Sequence, residues 1–286
     1  MGRRVIALVA VGIGLVAASA WARSGQLVLG PTVYASHNLP SDAITGFTVT
    51  CPPGYLAVSA GVSRPGPGST LLSVRPVGLR AFTFRFGNPV TNDATSVTVA
   101  VACRKSSGGP VLTLRPVKTR VVVKPGQMKT GTLTCPTQTL PAGAPFDLDP
   151  GRAKSVDSFA GAALSVRAST ASPRAFQFRI ANAGDRAHDA LVQGNCATVL
   201  FTPDVGPAQL STKISTYTDV ISAGRHHIVR RCPAGWTALG AGYALTSRSV
   251  RIDGAAAIGA SVSWWVRNTA ASPVAARLQA ICARLS

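Results

Sequence analysis

Six cysteines divide this sequence into three similar stretches. Each stretch opens on a Cys-Pro pair and closes on a second cysteine that ends a predicted strand. The opening cysteines are Cys51, Cys135 and Cys232, and the closing cysteines are Cys103, Cys196 and Cys282. An order of features that recurs three times indicates three copies of one module. The sequence therefore predicts modules at residues 23–106, 107–197 and 198–286, after a leader at residues 1–22.

The copies also share landmarks between their two cysteines. Each has a Ser-Val-Arg tripeptide, then an aromatic run that ends in Arg, and then an Asn. The tripeptides end at Arg75, Arg167 and Arg251, the aromatic runs end at Arg85, Arg179 and Arg267, and the asparagines are Asn88, Asn182 and Asn268. On this alignment Trp264 matches Phe82 and Phe176, which predicts a core position. Trp265 then matches Thr83 and Gln177, which predicts an exposed position.

The repeat also narrows the disulfide pairing. Six cysteines in an exported chain allow 15 pairings. Bonds within modules would be Cys51–Cys103, Cys135–Cys196 and Cys232–Cys282, which is the pairing that we expect. The alternative pairing, Cys103–Cys135 with Cys196–Cys232, would join neighbouring modules and leave Cys51 to bond Cys282.

The composition favours strands over helices. The chain has no Glu and only six Lys in 286 residues, whereas helical bundles use both heavily. Short runs of Val and Thr alternate with turn residues, as in all-β proteins. Alternation places Phe82, Phe84 and Phe86 on one face of a strand. We therefore predict three tandem, disulfide-stapled, antiparallel modules that resemble β-sandwiches. A single barrel or prism of three equivalent sheets is the alternative.

Two segments depart from the repeat. Residues 1–22 combine Arg3 and Arg4 with an apolar run and small residues, which is typical of a secretory signal peptide. An uncleaved anchor is the alternative. Module two carries extra residues after Cys135, and its Pro and Gly content predicts a surface loop at about 137–155. No further stretch is apolar enough for a membrane-spanning helix.

Charge is the main indication of function. The chain carries 29 basic against 10 acidic residues, a net charge of +19. If the two strands that carry the repeated arginines form a hairpin, the side chains share its outer face. A repeated basic patch suits an anionic polysaccharide, another cell-envelope polymer or extracellular DNA. The predicted polyanion-binding residues are Arg75, Arg85, Arg167, Arg179, Arg251 and Arg267. Trp265 is a candidate for contact with a glycan or a partner, and packing against a neighbouring module is its alternative.

The sequence contains no established catalytic or metal-binding motif, so we expect neither a cofactor nor a metal. The expectation is an exported, non-enzymatic repeat protein of the bacterial surface or periplasm, with a structural or binding role and a capacity for self-assembly. Its alternatives are a carbohydrate-binding module protein and a secreted hydrolase whose active site is assembled from distant residues.

Overall fold

The chain folds into β-strands throughout the part that the computed structural model describes. That part comprises residues 26–88, 93–107, 111–137, 139–142, 164–172, 175–182, 185–200, 210–245, 247 and 249–285, and it contains no helix. Consequently it contains no helix that could cross a membrane. The predicted signal peptide at 1–22 lies outside these residues.

The described residues form eighteen strands, six in each module. Module one contains β1 (Gln26–Leu39), β2 (Ala43–Thr50), β3 (Leu56–Arg64), β4 (Thr70–Val77), β5 (Ala81–Asn88) and β6 (Thr95–Ser107). Module two contains β7 (Val111–Val123), β8 (Met128–Thr134), β9 (Leu140–Ala142), β10 (Leu164–Ser172), β11 (Ala175–Asn182) and β12 (His188–Leu200). Module three contains β13 (Leu210–Ile221), β14 (Gly224–Arg231), β15 (Thr237–Leu245), β16 (Val250–Ile258), β17 (Ser261–Asn268) and β18 (Val274–Leu285).

Each module is built from two three-stranded antiparallel sheets with the same topology. The first sheet has the order β1-β6-β3, which recurs as β7-β12-β9 and β13-β18-β15. The second sheet has the order β2-β5-β4, which recurs as β8-β11-β10 and β14-β17-β16. We call this second sheet the hairpin sheet. The predicted fold of tandem sandwich-like modules is confirmed.

The side chains predicted to face inward form the cores. In module one Phe84 and Phe86 are buried by the alternation of β5, and Val99 and Val101 are buried by that of β6. Each module is closed by one disulfide, and the predicted pairing within modules is confirmed: Cys51–Cys103, Cys135–Cys196 and Cys232–Cys282. A bond that closes a loop of this length stabilises a module by about 4 kcal/mol in the chain-entropy model.

The modules also share a core. Two bulges, at Val58 in β3 and at Leu239 in β15, interrupt the strand registers at corresponding positions. Both side chains are fully buried in one apolar cluster that also includes Leu112 of module two. Strands of each module pack against both of the others, as β16 does on β3, β10 on β15, and β7 on β6. The three modules therefore form one packed body rather than a string of independent domains.

A close approach between modules one and three depends on glycine. Gly61 of β3 faces β16 so closely that a Cβ atom would overlap the carbonyl oxygen of Ala255. On the other side, a Cβ on Gly254 would stand 2.7 Å from the carbonyl oxygen of Val62. Modules one and three thus meet backbone against backbone, which only residues without a side chain permit at these two positions.

The predicted start of the surface loop at 137–155 is wrong. Leu140–Ala142 forms β9, which pairs with β12 as an edge strand of its sheet. β9 is the short counterpart of β3 and β15, so the insertion begins after it. The rest of the predicted loop, from 143 onward, lies outside the described residues.

We predict that Gly61→Ala destabilises the protein by about 3 kcal/mol, because the new methyl group must displace backbone atoms in a packed interface. Gly46→Ala is the matched control, since its Cβ would meet only atoms 3.7 Å away. Equilibrium denaturation measures both changes. Equal stability of the two variants would contradict the described contact.

Candidate basic site on the hairpin sheets

The six repeated arginines all belong to the hairpin sheets. Arg167 lies opposite Arg179, Arg251 lies opposite Arg267, and Arg75 lies opposite Thr83. Directly opposed residues share a face of a sheet, and so do residues two apart on one strand. In modules one and three the arginines therefore share the face that points away from the phenylalanine or tryptophan core, and Arg179 does so in module two; for Arg167 the structure gives the register alone. This is the face on which the sequence placed them.

The arginines nevertheless do not form three equivalent rungs. The repeated asparagine fixes the correspondence, because its amide caps the end of the first strand in each module: Asn88 donates to Leu39, Asn182 to Val123 and Asn268 to Ile221. Counting back from this residue, Arg85 and Arg179 are three positions away. Arg267 is one position away.

The structural counterpart of Arg85 and Arg179 is therefore Trp265. The alignment of Trp264 with Phe82 and Phe176 is wrong by two residues, and Trp264 instead matches Phe84 and Phe178. Trp264 is completely buried, as its match to a core position predicted. The distance from each aromatic residue to the repeated asparagine gives the correct alignment in the sequence. The alignment on the arginine that ends each aromatic run concealed it.

The side chain three positions before the asparagine reaches the next module. The Arg179 Nη2 group donates to the carbonyl of Leu245 at 3.2 Å, and the Trp265 Nε1 group donates to the carbonyl of Ser63 at 2.6 Å. Both acceptors lie at the end of the third strand of the neighbouring module. Trp265 is half-buried there, so its polar group is used within the chain. Packing against a neighbouring module is what the structure shows for this residue.

The arginines of module one lie less exposed than the sequence suggested. Arg75 and Arg85 are both half-buried. For Arg167 the structure gives only the register of its strand. Of the repeated arginines whose side chains are described, Arg251 is the most accessible, with 58% of its side chain exposed.

Module three gathers three arginines around one carboxylate. Arg225 and Arg267 approach Asp253 Oδ2 through their Nη2 atoms at 3.2 and 2.6 Å, and Arg251 approaches Oδ1 through Nε at 3.3 Å. Asp253 is the bulge residue of β16, and its side chain is only 11% exposed. We call these four residues the Arg–Asp cluster. Three guanidinium groups against one carboxylate leave a local charge of about +2 at neutral pH.

Arg225 of this cluster was missed by the repeat analysis, because its module-one counterpart is not an arginine. The signal that could have found Arg225 is the alternation along its own strand. In β14, exposed and less exposed residues alternate, and Arg225, His227, Val229 and Arg231 point outward. Beside the cluster, the His227 ring stacks on Trp265 with centroids 4.4 Å apart. The face therefore combines a cationic row with an aromatic row.

One further arginine lies away from this face, at the junction of modules one and three. Arg104 is fully buried and donates to the carbonyls of Cys103, Ala238 and Gly259 at 2.8 to 3.1 Å. Burial lowers the pKa of Arg104 to about 10. The group therefore stays charged at neutral pH and ties the two modules together through backbone acceptors.

The comparisons with known proteins add no family: the chain matches no family model, and no curated protein matches it. Among the described residues, no three His, Cys, Asp or Glu side chains come together as metal ligands. The chemistry that the described surface offers is the recognition of anions by guanidinium groups.

We predict that Asp253→Asn destabilises the protein by about 1 to 2 kcal/mol, because three guanidinium groups then repel one another without a counter-charge. Added salt should reduce this loss by screening the repulsion. Asp189→Asn is the control, since that carboxylate is 48% exposed and pairs with a single arginine. A loss that does not change between low and high salt would contradict the electrostatic origin.

Proposed function

We propose that this chain is an exported, non-enzymatic β-repeat protein of the bacterial surface or periplasm that binds anionic polymers through its basic faces. The three disulfides are typical of an oxidising, extracellular-type environment. The export route and the final location are part of the proposal.

The observation that carries the proposal is the Arg–Asp cluster. Its single carboxylate holds three guanidinium groups in place and neutralises only one of them. Arg251 uses Nε toward Asp253, and its outer Nη groups have no hydrogen-bond partner among the described residues. A planar guanidinium with two adjacent N–H donors suits a carboxylate, sulfate or phosphate group. Preorganisation by Asp253 lowers the entropic cost of binding such a group.

The overall charge supports the same function but does not by itself indicate a specific site. A chain of net charge +19 attracts any polyanion at low salt. Specific binding must therefore be distinguished from general attraction by comparing variants that lose the same charge at different positions. The cluster makes this comparison practical, because Arg225 and Arg251 can be changed while Arg267 remains to satisfy Asp253.

We predict that Arg225→Ser with Arg251→Ser weakens binding to dextran sulfate by at least ~10-fold at 0.1 M salt. The slope of log K against log salt should fall by roughly 1.4, since two phosphate-like contacts are lost. A salt titration by fluorescence anisotropy measures both quantities.

The matched control is Arg64→Ser with Arg277→Ser, two exposed arginines of β3 and β18 outside the cluster. This variant has the same net charge and should lose about threefold or less. Equal losses for the two variants would reduce the binding to general charge and refute the proposed site.

A further inference from the structure

A second row of cations follows the edge of module two. Along β7 the exposed side chains alternate with less exposed ones, so that Lys118, Arg120 and Val122 point outward while Thr119 and Val121 are half-buried. Lys124 is also exposed and follows the strand directly. Residues two apart on a strand are spaced by about 6.7 Å. We call Lys118, Arg120 and Lys124 the β7 stripe.

The β7 stripe lies on an accessible edge. β7 is the outer strand of the sheet β7-β12-β9, with β12 at its centre. The stripe has little counter-charge: among the described residues its one ion pair joins Arg120 to Asp189 at 3.5 Å, with 75% and 48% of these side chains exposed. Such an exposed pair is weak and open to competition from another anion.

We propose that the β7 stripe is a second anion-binding surface, and that its ligand is a linear acidic polysaccharide. This inference takes its ligand class from the proposed function, but it concerns other residues on another module. Lys118 and Arg120 point outward about 6.7 Å apart on β7, and Lys124 continues the stripe at the turn that follows the strand. This arrangement suits an extended chain with acidic groups along one side.

The shape of the stripe argues against nucleic acid. Duplex DNA presents two rows of phosphates separated by a groove of about 12 Å, whereas the stripe is a single row. Single-stranded nucleic acid is held largely by aromatic side chains that stack on the bases. The residues opposite Lys118 and Arg120 are Gln193 and Leu191 of β12, and Val122 lies between Arg120 and Lys124, so none of these three is aromatic.

A purely protective role for the stripe makes a different prediction. Lysine and arginine on an edge strand also prevent sheets from pairing edge to edge. In that case removal of the cations would promote aggregation of the protein and would leave its polymer binding equal to that of a charge-matched control.

The test uses the full chain, with alginate, a linear polyuronate, as the probe and a 20-base-pair DNA duplex beside it. Lys118→Ser, Arg120→Ser and Lys124→Ser together should weaken alginate binding by at least ~10-fold and lower the salt slope by roughly 2. The control removes three exposed cations elsewhere, with Arg64→Ser, Lys213→Ser and Arg277→Ser, and should lose about threefold or less.

A variant that should strengthen binding makes the test sharper. Asp189→Asn removes the carboxylate that competes for Arg120, so alginate binding should become tighter by ~2- to 3-fold. Losses equal to the control, no gain with Asp189→Asn, or a larger effect on the DNA duplex than on alginate would each overturn the inference.

The two sites can fail separately. If the stripe variant loses alginate binding while Arg225→Ser with Arg251→Ser loses neither alginate nor dextran sulfate binding beyond its control, the Arg–Asp cluster is refuted and the stripe stands. If only the cluster variant loses binding, the stripe is refuted and the cluster stands.

Discussion

The contact between the backbones of β3 and β16 is the constraint on which the arrangement of the modules depends. At Gly61 the first module leaves no room for a Cβ atom beside Ala255 of the third. This approach joins the first and last modules of the chain, and module two packs against both of them. The bulges at Val58 and Leu239 then direct two large aliphatic side chains into the shared core. A sandwich of 80 to 90 residues has a thin core of its own, and the shared core adds to it.

The repeat and its exceptions serve different purposes. Positions that recur join the modules, as the residue three places before the repeated asparagine shows in Arg179 and Trp265. Two charged residues stand at positions that break the repeat. Asp253 stands at a bulge where module one has Leu72, and it organises three arginines. Arg104 is buried and joins module one to module three, at a position where modules two and three have alanine.

The sequence was sufficient for everything that a strong local pattern encodes. The three disulfides followed from the repeat, and the inward faces of β5 and β6 followed from alternation. The sequence did not predict which residues of neighbouring strands lie opposite each other, because strand pairing and the bulges together determine that register. Arg75, Arg167 and Arg251 end the same tripeptide, yet they lie opposite residues that are five, three and one positions before the asparagine. The Arg–Asp cluster was equally hidden, because it unites residues of three strands, one of which carries no repeated arginine.

The two proposed anion-binding surfaces both depend on a rigid body that holds the surfaces in fixed positions. The surfaces lie on different modules, so a single long polymer that reaches both would gain from a high effective concentration at the second site. Free rotation between modules would weaken that gain, because the linker geometry would vary. The shared core and the contacts of Arg104 are what oppose such rotation.

The most direct test of this account measures whether damage in module one reaches module three. Three of the four tryptophans, Trp236, Trp264 and Trp265, lie in module three. Trp265 also touches Ser63 of module one, so the experiment uses a Trp265→Phe background, in which tryptophan fluorescence reports on module three. Replacing Cys51 and Cys103 by Ser removes the module-one disulfide and should destabilise that module by about 4 kcal/mol. One packed body predicts that the fluorescence midpoint in denaturant falls together with the circular dichroism midpoint. An unchanged fluorescence midpoint, with a new early phase in circular dichroism, would contradict the account.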